Sequence, residues 1–113
     1  MHELSIAMSI VDVAQEQAEL RGVQVNAVHL KLGALAGVVK ESLLFSYEAA
    51  CDDTPLQGSR LIIEDVPVMV FCPACQKPRP PSSIQLFCCA ECGNPASEVI
   101  QGKELEVVAL EIE

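Results

Sequence analysis

Four cysteines fall into two C-x-x-C pairs, Cys72-Pro-Ala-Cys75 and Cys89-Ala-Glu-Cys92, separated by thirteen residues. Each two-residue spacer lets two thiolates reach one ion at about 2.3 Å, and two such pairs complete a tetrahedral shell of four sulfurs. A shell with no open position is structural, because a catalytic zinc keeps a place for water. The surrounding segment 73–97 is proline-rich and poor in aliphatic residues, so it lacks the core to fold unaided. Structural zinc would supply on the order of 10–16 kcal/mol at neutral pH. Cys88 adjoins Cys89 and competes with it, but only Cys89 stands at the two-residue spacing from Cys92. Gly93 suits a left-handed residue closing the second knuckle, and Gln76 suits the same position after Cys75 less well. Disulfides are the ordinary alternative for six cysteines, and an intracellular setting argues against them. A redox-active pair would open a helix after a strand. An iron centre of the rubredoxin kind shares the geometry, although only Phe71 and Phe87 stand near this one. Zinc is the preferred metal, and Cys51 is read as a small buried hydrophobe.

A second set of ligands begins the chain, at Met1, His2 and Glu3. The Met1 amine and the His2 backbone nitrogen close a five-membered chelate ring, and that nitrogen with imidazole Nδ1 closes a six-membered one. Three nitrogens in a plane suit Ni(II) or Cu(II) rather than Mg²⁺ or Ca²⁺. The amine titrates near ~7.7 and yields its proton to a metal readily, more so beside the positive end of a helix. Glu3 would offset the repulsion between that helix end and the cation, or serve as a further ligand. Every chain beginning Met-His offers this chelate, so the residues alone leave open an ordinary terminal histidine.

The elements that must position these groups follow from periodicity. Leu4, Ala7, Met8, Val11, Ala14 and Ala18 recur at helical steps over 3–21, and Gly22 marks a stop. "VNAVHLKLG" over 25–33 alternates as a strand, with Ala27, His29 and Lys31 on its polar face; His29 is read as a surface residue. "KESLLFSYEAAC" predicts a second helix burying Leu43, Leu44, Tyr47 and Ala50. "RLIIEDV" predicts a second strand after a turn-rich stretch. "ELEVVALEIE" predicts a third, whose change of phase near Val107 and Val108 calls for a β-bulge. The expected fold is α/β (α+β), a small three-stranded sheet packed by two helices with an inserted zinc-ribbon module. Residues 1–68 with 102–113 form one expected α/β domain, which carries the N-terminal chelate, and 69–101 form the expected zinc-ribbon domain.

Charge narrows the partners. The net charge of −9 is uneven: 4 basic and 10 acidic residues over 1–66, 2 and 1 over 67–92, and 1 and 5 over 93–113. No basic cluster exists to release phosphate counterions, so nucleic acid is not an expected partner. The apolar stretches at 32–39 and 66–72 fall far below the ~20 residues of a membrane span. Glu3 and Asp12 interrupt any leader-like pattern. A cytoplasmic protein without membrane attachment is expected.

With its "MHE" start, "LKLGALAGV" followed by "ESLLFSYE", and paired knuckles at Cys72, Cys75, Cys89 and Cys92, the chain resembles the HypA/HybF family of hydrogenase maturation nickel chaperones over essentially its whole length. The resemblance implies nickel at Met1, His2 and Glu3 and structural zinc at the four knuckle cysteines. It also implies delivery of nickel to the [NiFe]-hydrogenase large subunit precursor together with a partner GTPase, HypB. Homodimers occur in some members, and the family are not enzymes. Relatives often carry an acidic residue in the loop after the strand glycine; here Val39 and Lys40 stand there, and Glu41 is the nearest carboxylate. An adaptor built on a zinc ribbon, with no nickel function, is the alternative reading.

Overall fold

A computed structural model describes residues 2–113 of the chain. In order, the elements are α1 (Glu3–Arg21), β1 (Val25–Gly33), α2 (Lys40–Cys51), β2 (Arg60–Val66), β3 (Met69–Cys72), β4 (Lys77–Arg79), β5 (Glu98–Gln101) and β6 (Leu105–Ile112). The chain divides into two compact units, one of Met1–Lys31, Val38–Glu64 and Glu106–Glu113, the other of Leu32–Gly37 and Asp65–Leu105. Among the described residues, no helix is long and apolar enough to cross a membrane.

The first unit is built on α1 and α2, which pack against each other, together with a three-stranded sheet in the order β2-β1-β6. Helix α1 stops at Gly22, which takes φ 63° and donates its N–H to Ala18 O, while the Val23 N–H reaches the same carbonyl at 3.1 Å. This left-handed closure satisfies carbonyls the helix would otherwise leave unpaired. The α1 face that is buried comprises Ala7, Ile10, Val11, Ala14 and Ala18. Leu4 and Met8, expected on that face, are 52% and 54% exposed. At about 100° per residue they lie roughly 70–110° around the helix from the centre of the buried stripe. Ile10 takes their place because burial follows the direction of the neighbouring elements rather than hydrophobicity alone. Likewise α2 buries Leu43, Tyr47 and Cys51 and leaves Leu44 on the surface.

Strand β1 is central, and it buries Ala27 as well as Val28 and Leu30. A methyl group on the polar face of a strand flanked on both sides is readily covered, whereas His29 and Lys31 on that face keep partial access to solvent. His29 Nε2 lies 2.5 Å from Glu111 Oε2 of β6. In β6, Val107 and Leu110 both pack against the core formed by α1, α2 and β1. Uninterrupted alternation would have sent those two side chains to opposite faces.

The second unit has its own small core of Val68, Val70, Cys72, Cys89 and Ala96, with Leu35, Cys75 and Val99 packed around it. Its antiparallel sheet runs β4-β3-β5. Strand β3 pairs Val70 with Arg79 and Cys72 with Lys77, and its register to β5 shifts between Met69 and Val70. Two isolated bridges, Pro81 with Cys89 and Cys88 with Pro95, tie down the loop that carries the second knuckle.

Candidate metal centres

Strand β3 ends at Cys72 and the chain turns at once, the Gln76 N–H donating to Cys72 O at 2.8 Å. The second knuckle closes in the same way, with the Gly93 N–H donating to Cys89 O at 2.9 Å. Both residues that follow the second cysteine are left-handed, Gly93 at φ 78° and Gln76 at φ 60°. Gln76 therefore adopts a conformation that glycine would take more easily. Its side-chain amide donates to Pro73 O at 2.8 Å, which helps to hold the turn.

The two turns aim four sulfurs at one point. The Sγ atoms of Cys72, Cys75, Cys89 and Cys92 all lie within 4.8 Å of one another, with Cys72 to Cys92 at 3.5 Å and Cys75 to Cys89 at 4.0 Å. A tetrahedron with metal–sulfur bonds of about 2.3 Å has sulfur–sulfur edges of about 3.8 Å. The donor set therefore fits a closed four-thiolate site. Cys88 lies outside the cluster, its backbone engaged in the bridge to Pro95.

Backbone and side-chain donors already surround the sulfurs. The Cys75 N–H approaches Cys72 Sγ at 3.4 Å, the Glu91 N–H approaches Cys89 Sγ at 3.4 Å, and the Asn94 amide approaches Cys92 Sγ at 3.3 Å. These donors favour thiolates, the form a metal requires. In the metal-free cluster the Asn94 backbone N–H, aided by Cys72, draws Cys92 down to about 6. Cys75, sharing its proton with Cys92, is pushed up to about 11. Of these two, Cys92 takes up negative charge first, and a metal must displace the proton of Cys75.

At the other candidate site, His2 precedes α1 with no side-chain capping bond, its carbonyl accepting from the Ile6 N–H at 2.9 Å. Its side chain stands in solvent. Glu3 is the reverse, a carboxylate only 4% exposed whose Oε2 accepts from the Val39 N–H at 3.0 Å. An open cleft of about 540 Å³ is lined by His2, Glu3, Leu4, Val39, Glu41 and Phe45 among others. The starts of α1 and α2 both border it. Two helix N-termini would repel a cation, and Glu3 and Glu41 supply the opposing charge. His2, Glu3 and Glu41 share this cleft without gathering as tightly as the four sulfurs, and Met1 lies outside the described residues. The link between Glu3 and Val39 had no signal in the sequence, because nothing local relates residues 36 positions apart.

Known proteins place the chain. A family model described as "Hydrogenase/urease nickel incorporation, metallochaperone, hypA" matches residues 1–112. The hydrogenase maturation factor HypA of Chloroflexus aurantiacus is 51% identical over 112 residues, covering 98% of each chain. The hydrogenase maturation factor HybF of Klebsiella pneumoniae is 40% identical over 113 residues, again covering 98% of each. The solution structure of the Ni metallochaperone HypA from Helicobacter pylori superposes with a TM-score of 0.67 at 22% identity, covering 99% of this chain and 97% of that one, so the fold is shared as well. With its whole length matched in sequence and in fold, the chain belongs to the HypA family of hydrogenase/urease nickel-incorporation metallochaperones.

Proposed function

We propose that the chain binds Ni(II) as cargo through Met1, His2 and Glu3 and carries it to the [NiFe]-hydrogenase large subunit precursor, working with a HypB-type GTPase. It acts as a maturation factor and not as an enzyme. The observation that carries the reading is the exposed His2, which lines one cleft together with Glu3 and Glu41. With the Met1 amine, the His2 amide and imidazole nitrogens would form a planar donor set around one ion, which suits nickel. Glu3, already bonded to Val39, lends charge from a fixed position. An open site releases its cargo more easily than a closed one, and nickel affinity on the order of micromolar, about −8 kcal/mol, is expected.

The four knuckle cysteines would hold a resident zinc ion, which supplies folding energy to the second unit. Cys72 and Cys89 anchor it from the buried side, and Cys75 and Cys92 close it from the solvent side. The chain works in the cytoplasm on this reading, and a homodimer is compatible with it.

The test is a nickel titration by calorimetry of zinc-loaded protein with a free Met1 amine, beside His2→Ala and a form extended by a few residues before Met1. Binding of about one nickel by the native form, lost in both variants, is the expected result. Equal binding by all three, or by none, removes the cargo site and leaves a zinc-ribbon adaptor.

A further inference from the structure

Strand β6 closes the sheet order β2-β1-β6. It runs antiparallel to β1, as the bond from the Gly33 N–H to Glu104 O at one end and from the Glu113 N–H to Gln24 O at the other require. Backbone groups of such a strand point alternately toward its neighbour and away from it. Because Glu113 donates to β1, the N–H and C=O groups of Leu110 and Ile112 point outward. The side chains of these same two residues line an open groove of about 250 Å³ whose other wall is Gln17 and Arg21 of α1. Leu110 also packs against the core, so the groove lies on the core side of the sheet, where a side chain of a further strand would sit beside α1.

The opposite face of β6 is acidic. Val107 and Leu110 share the core face, which puts Glu106, Glu111 and Glu113 on the other. All three are exposed, and His29 of β1 meets Glu111 there. Residues 104–113 contain no lysine or proline, the residues that commonly keep a sheet edge from pairing. The edge at β2 differs, since Arg60 accompanies Glu64 and Asp65 on that strand.

We propose that the β6 edge is a docking site for an extended segment of a partner protein in which apolar residues alternate with lysine or arginine. The segment adds to the sheet as a further strand. Its backbone bonds the outward groups of Leu110 and Ile112, its apolar side chains enter the groove, and its basic side chains face Glu106, Glu111 and Glu113. Arg21 at the groove wall fixes that phase, because it repels a cation on the core side. A second copy of this chain is the poorer occupant, since pairing β6 with β6 sets one row of glutamates against another. The proposal is independent of both metal sites.

The experiment titrates isotope-labelled, zinc-loaded, full-length protein with the peptide Lys-Val-Lys-Val-Lys-Val-Lys, beside a peptide of the same composition in block order, Lys-Lys-Lys-Lys-Val-Val-Val. Amide hydrogen exchange is followed by NMR. Slower exchange at Leu110 and Ile112 with the alternating peptide alone is the expected result. Glu106→Gln and Glu113→Gln should each weaken its binding by roughly two- to fivefold, the worth of one cross-strand charge pair. Ile112→Pro, which removes an outward donor and no bond to β1, should abolish the protection at Leu110. Equal binding of both peptides, wild-type affinity in the glutamine variants, or binding without slower exchange at the outward amides reduces the edge to a charged surface and overturns the proposal. Protection that appears without peptide and grows with protein concentration assigns the edge to a second copy and overturns it too, as does the absence of binding.

Discussion

The backbone N–H of Val39 donates to Glu3 Oε2 at 3.0 Å, so the carboxylate that opens α1 also caps the start of α2. Neither His2 nor Val39 provides a side-chain cap of its own. In a capping box a glutamate inside the helix reaches back to the N-cap N–H; here it comes from a different helix. The two helix starts that border the cleft are therefore tied by one buried charged group, and the residue beside His2 has a structural task in addition to any role toward nickel.

Glu3→Ala should lower the stability of metal-free protein by about 1.5–3 kcal/mol, the usual worth of a hydrogen bond to a charged group. Glu3→Gln keeps an acceptor for Val39 and should recover part of that loss. Urea unfolding followed by circular dichroism reads both. A midpoint unchanged in Glu3→Ala would show the bond to be dispensable, and nickel titration of Glu3→Gln then isolates the effect of the charge on cargo.

Cys89→Ser should abolish tight zinc binding, whereas Cys88→Ser should leave it intact, because only Cys89 contributes to the sulfur cluster. Zinc affinity should rise with pH. The metal needs thiolates, Cys75 holds its proton up to about 11 in the metal-free cluster, and Cys92 loses its own near 6. Loading therefore releases protons and weakens as pH falls, most sharply once Cys92 too becomes protonated. Competition titrations between pH 5.5 and about 8, with proton release measured in weak buffer, check the sign.

Removing zinc with a strong chelator should make the loop between the knuckles sensitive to protease while helical circular dichroism persists. The core of the first unit rests on Leu30, Leu43, Leu56 and their neighbours, and that of the second on few side chains, two of them the cysteines Cys72 and Cys89. Simultaneous loss of both signals would show that the first unit depends on the metal as well.

Tyr47 is 2% exposed, its hydroxyl 2.7 Å from Ser59 Oγ. Burial pushes the phenol well above its ordinary value of 10. The fold favours the neutral form, so its contribution is fully present below pH 10 and is lost as pH rises through the folded value. Tyr47→Phe should cost about 1 kcal/mol at neutral pH through the lost hydrogen bond. It should also remove this alkaline loss, so that the two stability curves converge above pH 10. Parallel curves would contradict the assignment.

Gly33→Ala should destabilise the second unit by about 1–3 kcal/mol, as overpacking does. A Cβ at Gly33 would stand 2.2 Å from Gly102 O and 2.6 Å from the Glu104 nitrogen. Gly22→Ala is the comparison, since φ 63° is unfavourable to alanine but nothing lies within 4 Å; about 1 kcal/mol is expected there. Thermal unfolding of zinc-loaded protein distinguishes them, and equal losses would deny the close approach its weight.

The sequence by itself determined what short-range geometry decides. Two thiols separated by two residues can reach one ion, and Gly22 and Gly93 can turn left-handed, whatever the rest of the chain does. Helical and strand spacing likewise located α1, β1, α2 and β2. Tertiary structure alone decided which faces were used and which distant groups met. Leu4 and Met8 lost the buried stripe to Ile10 because neighbouring elements lay to one side. Glu3 found Val39 and Gly33 met Gly102, each across a separation over which no periodicity carries information. Those contacts exist only once the chain has closed its loops, when burial makes an unpaired carboxylate or backbone N–H costly and so selects the partner.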